Sequence, residues 1–528
     1  MIDREGEVKR RIRLPPRVSL AGGLLLAAGM MASAQTSPSG GADLRFEVRV
    51  GDGMLAAPVS GRLVVAVSRP GRREPRLRIG RVAPDATPIF GVDVRAMDVG
   101  GTVVVDESAA AFPYATLAGL PPGDYLAQAV LDLSRDHRFH GAPGNLYSQP
   151  QPFSVGGVLG RAIDLPLTER VPPERAPAET DDVRFVRLRS VRLSRFHGRP
   201  IDLRAGVILP RGYEDDPWRR YPVRVRVGGY GDRFTEVTRL MRPGSAFRDA
   251  WLADDTPRMI LVHLDGAGPY GDPYQVNSAN NGPYGDAITL ELIPFIEARF
   301  RGVGVPAARV IDGGSTGGWV ALALQIFYPD VFNGAWSSCP DGIDFRRLQL
   351  VDIYDDANAY IDTLGRERPA ARGAGGEVRF TMRQELRMES VLGRGGSWTR
   401  SGRQWGAWNA VYGPRGNDGL PVPLWDPVTG DIDRTVTVHW ERYDLRLRLE
   451  QDWTRLAPKL RGKINIWVGD ADDYYLDDAV RLFDAWLDDT DPSYDARIVY
   501  GPGQGHCWVG LTPAEMMHEM GARTGASP

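Results

Sequence analysis

The sequence predicts an α/β protein whose mostly parallel sheet carries a helical cap insertion and follows a small all-β sandwich. Three observations support this fold class. Short strands with alternating apolar and polar residues, separated by turns, fill residues 43–167. From residue 183 to residue 528, strands alternate with helices, which is the order of a parallel sheet covered on both faces. That alternation stops between residues 341 and 460, a stretch too long for a simple crossover.

Residues 1–34 have the pattern of a secretory signal peptide. Basic residues precede an apolar run from Leu20 to Met31, and Ala32-Ser33-Ala34 follows as a small-residue cleavage pattern. The run of about a dozen residues is shorter than the ~20 that a membrane-spanning helix needs. We therefore expect export to the periplasm or the cell exterior, cleavage after Ala34 and no membrane span.

The segment 43–167 is predicted to be an immunoglobulin-like β-sandwich. Leu44–Val50 alternates as a half-buried strand does, and Pro121-Pro122-Gly123 is a strong turn signal. It carries no concentration of catalytic residue types, so its role is open. It can bind carbohydrate, dock onto the α/β domain or stabilise that domain, and we favour the last two. A proline-rich linker, residues 168–182, separates it from the domain that spans 183–528.

The composition argues against some partners and cofactors. The formal net charge is -3, so neither nucleic acid nor an anionic membrane surface is an expected partner. The two cysteines, Cys339 and Cys507, are not accompanied by a histidine cluster and do not make a zinc site. We expect no metal and no cofactor.

The α/β domain is predicted element by element from its apolar runs. Strands are expected at Tyr221–Val227, Met259–Leu264, Arg309–Ile311, Lys463–Val468 and Ala496–Tyr500, and helices at Ala287–Phe300, Trp319–Tyr328 and Leu476–Leu487.

The insertion at 341–460 is predicted to be a cap or lid. It combines helical segments and glycine-rich pieces with several tryptophans: Trp398, Trp405, Trp408 and Trp425. Those indoles either form an aromatic wall for a substrate or make the core of the insertion itself, which is the more common role.

A candidate nucleophile lies between a strand and a helix. Gly313-Gly314-Ser315-Thr316-Gly317 has the G-x-S-x-G pattern, in which a strained turn lifts the serine hydroxyl above the sheet. The pentapeptide alone is a weak signal in a glycine-rich chain, but the strand before it and the helix after it strengthen it. An ordinary glycine turn is the alternative.

A serine hydroxyl needs a base to become a nucleophile. His506 follows the last predicted strand in the glycine-rich loop 501–506, where it can reach the edge of the sheet that carries Ser315. His439 and His518 also follow the serine, but they fall in the insertion and in a C-terminal helix. The alternative for His506 is an exposed loop residue without a role.

The acid that would orient His506 is expected just after the strand that comes before the histidine's own strand in the sequence. Residues 464–468 lead into Gly469-Asp470-Ala471-Asp472-Asp473, and the spacing from the glycine favours Asp472. Asp470 and Asp473 stay open as alternatives.

Backbone N–H groups that stabilise an oxyanion are expected from two places. One is Thr316, directly after the serine, and the other is the loop Gly228-Gly229-Tyr230-Gly231, with Tyr230 the first choice. A plain strand-to-helix turn is the alternative for this loop.

These motifs resemble the putative-esterase branch of the α/β-hydrolases, which includes esterase D, enterochelin esterases, feruloyl esterases and mycolyl transferases. The resemblance covers roughly Val183 to the C-terminus. It rests on four stretches, which are 284–296, 314–318 with 328–332, 469–472 and 505–506. It implies an α/β-hydrolase fold and hydrolysis of carboxylic esters.

The chain departs from that family in two respects. Gly228-Gly229 stands where the family often has His-Gly, and Arg224 and Arg226 occupy a strand where apolar residues are usual. Both departures concern the region that supplies the second oxyanion donor.

The two cysteines are predicted to meet at one edge of the sheet. Cys507 follows His506 directly, and Cys339 follows the strand after that of the nucleophile. A disulfide between them is expected to hold the His506 loop in place.

The sequence therefore predicts an exported serine hydrolase that cleaves carboxylic esters through an acyl-enzyme on Ser315. Its expected partner is a small-molecule or carbohydrate-linked ester, and neither the ester nor the oligomeric state follows from the sequence. One alternative is a serine exopeptidase of the prolyl-oligopeptidase type, which would normally carry a β-propeller. Another is an inactive scaffold that binds envelope polysaccharide, against which the intact Ser315, Asp472 and His506 argue.

Overall fold

The computed structural model describes residues 44–71, 73–83, 86–137, 141–156, 162–494 and 496–528. The predicted signal peptide lies outside these residues. Within them, no helix has both the length and the apolar character that crossing a membrane requires.

The N-terminal domain is one continuous sheet of nine strands around an apolar core. Its order is β4-β1-β9-β7-β6-β2-β3-β5, with β8 also paired to β6, and side chains of all nine strands enter one core cluster. Because β9 pairs with both β1 and β7, hydrogen bonds connect the strands without a break from β4 to β5. The strands are β1 (Phe46–Val50), β2 (Val59–Ser68), β3 (Ile89–Met97), β4 (Thr102–Val105), β5 (Ala110–Phe112), β6 (Gly123–Asp132), β7 (Leu146–Ser148), β8 (Gln151–Val155) and β9 (Ile163–Arg170).

This domain differs from the β-propeller that a serine exopeptidase of the prolyl-oligopeptidase type would normally carry. A propeller repeats four-stranded blades around a channel, whereas the described strands here share one core. The last strand also continues to Arg170, three residues beyond the predicted boundary, because its end pairs with Leu146 of β7.

The second domain contains twelve strands and thirteen α-helices among the described residues. The strands are β10 (Val183–Arg189), β11 (Asp202–Ile208), β12 (Val223–Val227), β13 (Ile260–Leu264), β14 (Asn277–Ser278), β15 (Gly282–Pro283), β16 (Arg309–Gly314), β17 (Ala335–Ser338), β18 (Pro369–Arg372), β19 (Val378–Thr381), β20 (Ile464–Gly469) and β21 (Arg497–Gly501). The helices are α1 (Val191–His197), α2 (Val237–Leu240), α3 (Ala246–Leu252), α4 (Tyr284–Ala287), α5 (Ile293–Arg299), α6 (Thr316–Phe327), α7 (Met382–Leu392), α8 (Gln404–Tyr412), α9 (Arg434–Trp440), α10 (Leu445–Gln451), α11 (Trp453–Leu460), α12 (Leu476–Asp488) and α13 (Pro513–Thr524).

The central sheet has eight strands in the order β10-β11-β13-β12-β16-β17-β20-β21. The six strands from β13 to β21 pair in parallel, and β11 pairs antiparallel with both β10 and β13. Strands such as β13 are buried along their whole length because helices cover both faces. The predicted α/β-hydrolase fold with a mostly parallel sheet is confirmed.

The two arginines on the central strand β12 are paired with a carboxylate on the neighbouring strand. Asp312 on β16 accepts bonds from Nε and Nη2 of Arg224, both at 2.8 Å, and from Nη1 of Arg226 at 2.7 Å. Burial raises the pKa of Asp312, but the two guanidinium groups outweigh it and hold that pKa below its usual value. Asp312 is therefore the shared partner of both arginines inside the sheet.

Residues between β17 and β20 form five helices, α7 to α11, and the hairpin of β18 and β19. The four tryptophans that the sequence singled out are all buried here. The indoles of Trp398 and Trp425 stack at 5.1 Å, and those of Trp405 and Trp408 meet edge to face at 4.6 Å. They form the core of the insertion, and only Trp408 among these four also lines the cavity described below.

The N-terminal domain packs directly on helix α7 of the insertion. Met388 and Val391 of that helix share a small apolar cluster with Val64 and Ile89 of the β-domain. The buried Arg62 of β2 donates to the carbonyl of Val391 at 2.9 Å. The β-domain is thus docked onto the insertion, close to the C-terminal edge of the central sheet.

Candidate active site

Ser315 stands on a strained turn between β16 and α6. Its φ of 56° is rare for a residue with a side chain, and it follows the end of the strand directly. A Cβ on Gly313 would lie 2.2 Å from the carbonyl oxygen of Gly317, and a Cβ on Gly317 would lie 2.2 Å from that of Val227. Glycine at these two positions is therefore required for the turn to pack against β12.

The structure brings Ser315, His506 and Asp472 into one chain of hydrogen bonds. His506 Nε2 lies 3.2 Å from Ser315 Oγ, and His506 Nδ1 lies 2.8 Å from Asp472 Oδ2. The histidine comes from the loop after β21 and the aspartate from the turn after β20. Parallel strands end at the same edge of a sheet, which is why residues so distant in sequence meet.

The three aspartates after β20 have different partners. Asp472 is fully buried, and besides the imidazole it accepts the amide of Tyr474 at 2.9 Å. Asp470 accepts the amide of Gly503 at 2.6 Å, while Asp473 accepts the amide of His506 at 3.3 Å. The imidazole ring bonds to Asp472, and its two neighbours hold the backbone of the histidine loop.

The environment of His506 raises its pKa. Burial alone would lower the pKa of the imidazole, but the hydrogen bonds with Asp472 and Cys507 and their charges outweigh it. The protonated ring is therefore easier to form here than in water.

A second carboxylate, which the sequence analysis missed, lies beside Ser315. Asp341 Oδ1 is 3.4 Å from Ser315 Oγ, and Asp341 Oδ2 accepts bonds from the hydroxyls of Tyr274 (2.6 Å) and Thr316 (3.0 Å). The indole of Trp408 also donates to Oδ2 at 3.3 Å. Burial raises the pKa of Asp341 despite these donors. Its position shortly after a strand could have identified it as a site residue, but the sequence analysis assigned it to the start of the insertion.

The two residues predicted to supply oxyanion donors, Thr316 and Tyr230, both lie near Ser315. Thr316 is buried at the first position of α6, and Tyr230 lines the same cavity as Ser315. The hydroxyl of Tyr230 donates to the carbonyl of Gly402 at 3.0 Å, which ties this loop to the insertion. The amide of Ser315 itself is occupied, because it donates to the carbonyl of Ser338 at 3.0 Å.

Cys339 and Cys507 are close together but are free thiols in the structure. Their sulfurs and one ring nitrogen of His506 lie within 4.8 Å of one another, and the amide of Ser315 also donates to Cys339 Sγ at 3.3 Å. Such a set of atoms can hold a metal ion, but both ring nitrogens of His506 already bond to Asp472 and Ser315. We assign no metal to it.

A cavity of about 490 Å³ opens in front of Ser315 and His506. This volume suits a small-molecule ligand. Its walls come from three parts of the chain: the loop Gly80–Ala83 of the β-domain, the insertion, and the loops that carry Tyr230 and Tyr474. The β-domain therefore takes part in the site.

Comparison with known proteins gives a family and several structural neighbours. The family described as putative esterase matches residues 199–479. The neighbours include an S-formylglutathione hydrolase from Agrobacterium tumefaciens (12% identity, 66% of this chain and 95% of that one, TM-score 0.34). They also include the fluorophosphonate-binding serine hydrolase F of Staphylococcus aureus (12% identity, 65% of this chain and 98% of that one, TM-score 0.37). A ferulic acid esterase from Anaeromyces mucronatus is similar as well (12% identity, 66% of this chain and 92% of that one, TM-score 0.30). No curated protein matches the chain.

Proposed function

The chain belongs to the putative esterase family, and from this premise we propose that it cleaves carboxylic esters through an acyl-enzyme formed on Ser315. The hydrogen-bonded chain from Ser315 Oγ through His506 to Asp472, at the mouth of a ligand-sized cavity, carries this proposal.

Each residue of the chain has a distinct part in the proposed reaction. His506 Nε2 takes the proton of Ser315 as Oγ attacks the ester carbonyl, and then gives that proton to the departing alcohol. Water repeats the sequence on the acyl-enzyme and releases the acid. Asp472 fixes the tautomer of the imidazole and stabilises the imidazolium, in line with the raised pKa of His506.

The oxyanion is proposed to bind the backbone N–H groups of Thr316 and Tyr230. The first N–H groups of an α-helix have no partner within the helix, and Thr316 is the first residue of α6. The positive end of the helix dipole adds to this stabilisation. The amide of Ser315 is engaged elsewhere, so it is not a competing donor.

A fluorophosphonate probe tests the proposal without knowledge of the substrate. We expect the probe to label the purified protein at Ser315, because only a serine activated by a base reacts with it. Peptide mapping by mass spectrometry locates the label, and Ser315→Ala and His506→Ala should both abolish it. A folded wild-type protein that takes up no label, or takes it up at another residue, would favour the polysaccharide-binding scaffold instead.

We further propose that the protein is exported and that Cys339 and Cys507 pair in an oxidising compartment. The N-terminal pattern supports export, and the proximity of the sulfurs supports pairing across the sheet edge. The bond would tie the His506 loop to the strand next to that of the nucleophile.

Intact mass spectrometry of the exported protein checks both statements at once. We expect a chain that begins at Gln35 and is lighter by two hydrogen atoms than its reduced form, with no reactive thiol. The Cys507→Ser variant, which has one cysteine, should show one free thiol. Two reactive thiols in the exported wild type would contradict the pairing, and a chain that still begins at Met1 would contradict the cleavage.

A further inference from the structure

Three arginine side chains from separate parts of the chain line the cavity in front of Ser315. Arg81 belongs to the β-domain and Arg379 to strand β19, and Arg403 directly precedes helix α8. An esterase that acts on a neutral substrate has no need of three cations at this place. Whether the cavity keeps a positive charge depends on the salt bridges of these arginines and on the ionisation of the carboxyl groups beside them.

Arg403 is built into the wall that joins the β-domain to the insertion. Its Nη2 donates to the carbonyl of Gly80 at 2.9 Å, and a Cβ on Gly80 would lie 2.6 Å from the same nitrogen. The residue is half-buried and forms no salt bridge with the described residues, although Glu385 and Glu389 are near enough for their pKa values to be lowered by its charge. Among the described residues its guanidinium makes only this one hydrogen bond, to Gly80, so its other N–H groups are available to a ligand in the cavity that it lines.

The other two arginines are also weakly neutralised. Arg81 is exposed and has no ion-pair partner in the part of the chain that the structure describes. Arg379 has a single long contact, in which Nη1 lies 3.7 Å from Asp473 Oδ2. Exposed pairs of this length contribute little, so Arg379 stays available to a ligand.

The acids that line the cavity carry less negative charge at neutral pH than free carboxylates would, so they offset the charge of the arginines only in part. Burial raises the pKa of Glu385 to about 8, with a further contribution from Glu389, whose own pKa burial raises to about 7. Glu389 is also occupied, because it accepts the hydroxyl of Ser401 at 2.7 Å and the amide of Gly406 at 2.9 Å.

We propose that the cavity selects esters that carry an anionic group, such as a carboxylate, a few bonds from the scissile carbonyl. Arg81 of the β-domain and Arg403 of the insertion hold that group between them, and Arg379 adds to the field. The proposal rests on the esterase function proposed above. It also gives the β-domain a part in specificity, because Arg81 and the Gly80 carbonyl that positions Arg403 both come from it.

Two matched pairs of aryl esters test this. Mono-4-nitrophenyl adipate and 4-nitrophenyl hexanoate differ by a carboxylate on the acyl side, and 3-carboxyphenyl butyrate and phenyl butyrate differ by one on the alcohol side. We expect kcat/KM at neutral pH to favour the anionic ester in at least one pair by about tenfold or more, as one charge-assisted bond provides.

Arginine variants then assign the preference. In R403Q, and separately in the exposed and structurally safer R81Q, the ratio of anionic to neutral kcat/KM should fall several-fold, to about tenfold at most, since each removes one of several donors. R455Q, a surface variant on α11, should leave the ratio as in the wild type.

The outcomes separate this proposal from the esterase function. If the wild type cleaves the neutral esters as well as or better than the anionic ones in both pairs, the anionic specificity is wrong and the esterase function stands. If the anionic preference exists but survives in both R403Q and R81Q, the assignment to these arginines is wrong. If the folded protein takes up no fluorophosphonate label and cleaves none of the four esters, both the anionic specificity and the esterase function are wrong.

Discussion

Replacing Asp472 by asparagine is expected to lower kcat for any ester substrate by about 10⁴-fold. Asparagine fills the same space, but its amide can donate to Nδ1 and so favours the tautomer in which Nε2 carries the proton. His506 Nε2 then cannot accept the proton of Ser315. Steady-state kinetics on an aryl ester, with circular dichroism to verify the fold, measures the effect.

Asp470→Asn and Asp473→Asn are the matched controls. Both carboxylates bond to amides of the histidine loop rather than to the ring, so a much smaller loss is expected for each. A loss in D473N or D470N as large as that in D472N would contradict the assignment of Asp472 as the orienting acid.

The pH dependence of D472N gives a second measure of the same interaction. Ester cleavage needs the neutral imidazole, so activity is lost as the pH falls through the pKa of His506. Burial lowers the pKa of His506, but the hydrogen bond with Asp472 and its charge raise it, so the acidic limb of kcat/KM in the wild type should have its midpoint above 6.5, the ordinary histidine value. In D472N this midpoint should move to lower pH. An unchanged midpoint would show that the carboxylate does not set the pKa.

Replacing Asp312 by alanine is expected to lower the free energy of unfolding by about 3–5 kcal/mol. The change leaves the side chain of Arg224, 2% exposed, without its carboxylate in the centre of the sheet, and Arg226 loses the same partner. Burying such an uncompensated charge is costly, since the interior cannot replace the hydration that the guanidinium had in water. Urea unfolding followed by tryptophan fluorescence checks the size of the loss.

Asp452→Ala is the control for this stability change. Asp452 also pairs with two arginines, Arg448 and Arg455, but at the surface of the domain, so its removal should barely move the unfolding midpoint. A D312A protein whose free energy of unfolding lies within about 1 kcal/mol of the wild type would mean that water or a rearrangement solvates Arg224.

Where the signal is local, the sequence indicated residues that the structure brings together. Ser315 lies in a pentapeptide between a strand and a helix, and His506 and Asp472 each follow a strand within a few residues. Because parallel strands of this fold end at a common edge, the order of the motifs along the chain is enough to bring these residues together. The choice among Asp470, Asp472 and Asp473 was weaker, since one residue of difference in a turn decides which carboxylate faces the ring.

Other features depend on contacts between distant segments that leave no periodic or local pattern. Arg224 and Arg226 looked out of place on a central strand, and only the pairing of β12 with β16 places Asp312 beside them. Asp341 was assigned to the insertion, although the end of β17 brings it against Ser315. The contact between Gly80 and Arg403 joins the β-domain to the insertion through two residues that lie 323 positions apart in the sequence.

By itself, then, the sequence determined the fold class, most of the central parallel strands and the three residues of the proposed catalytic chain, because strand ends and glycine turns are encoded by neighbouring residues. Only the tertiary structure decided which charges are neutralised, which carboxylates are buried, and that the β-domain forms a wall of the cavity. Those properties follow from side chains that meet through packing, and packing is set by the whole chain at once.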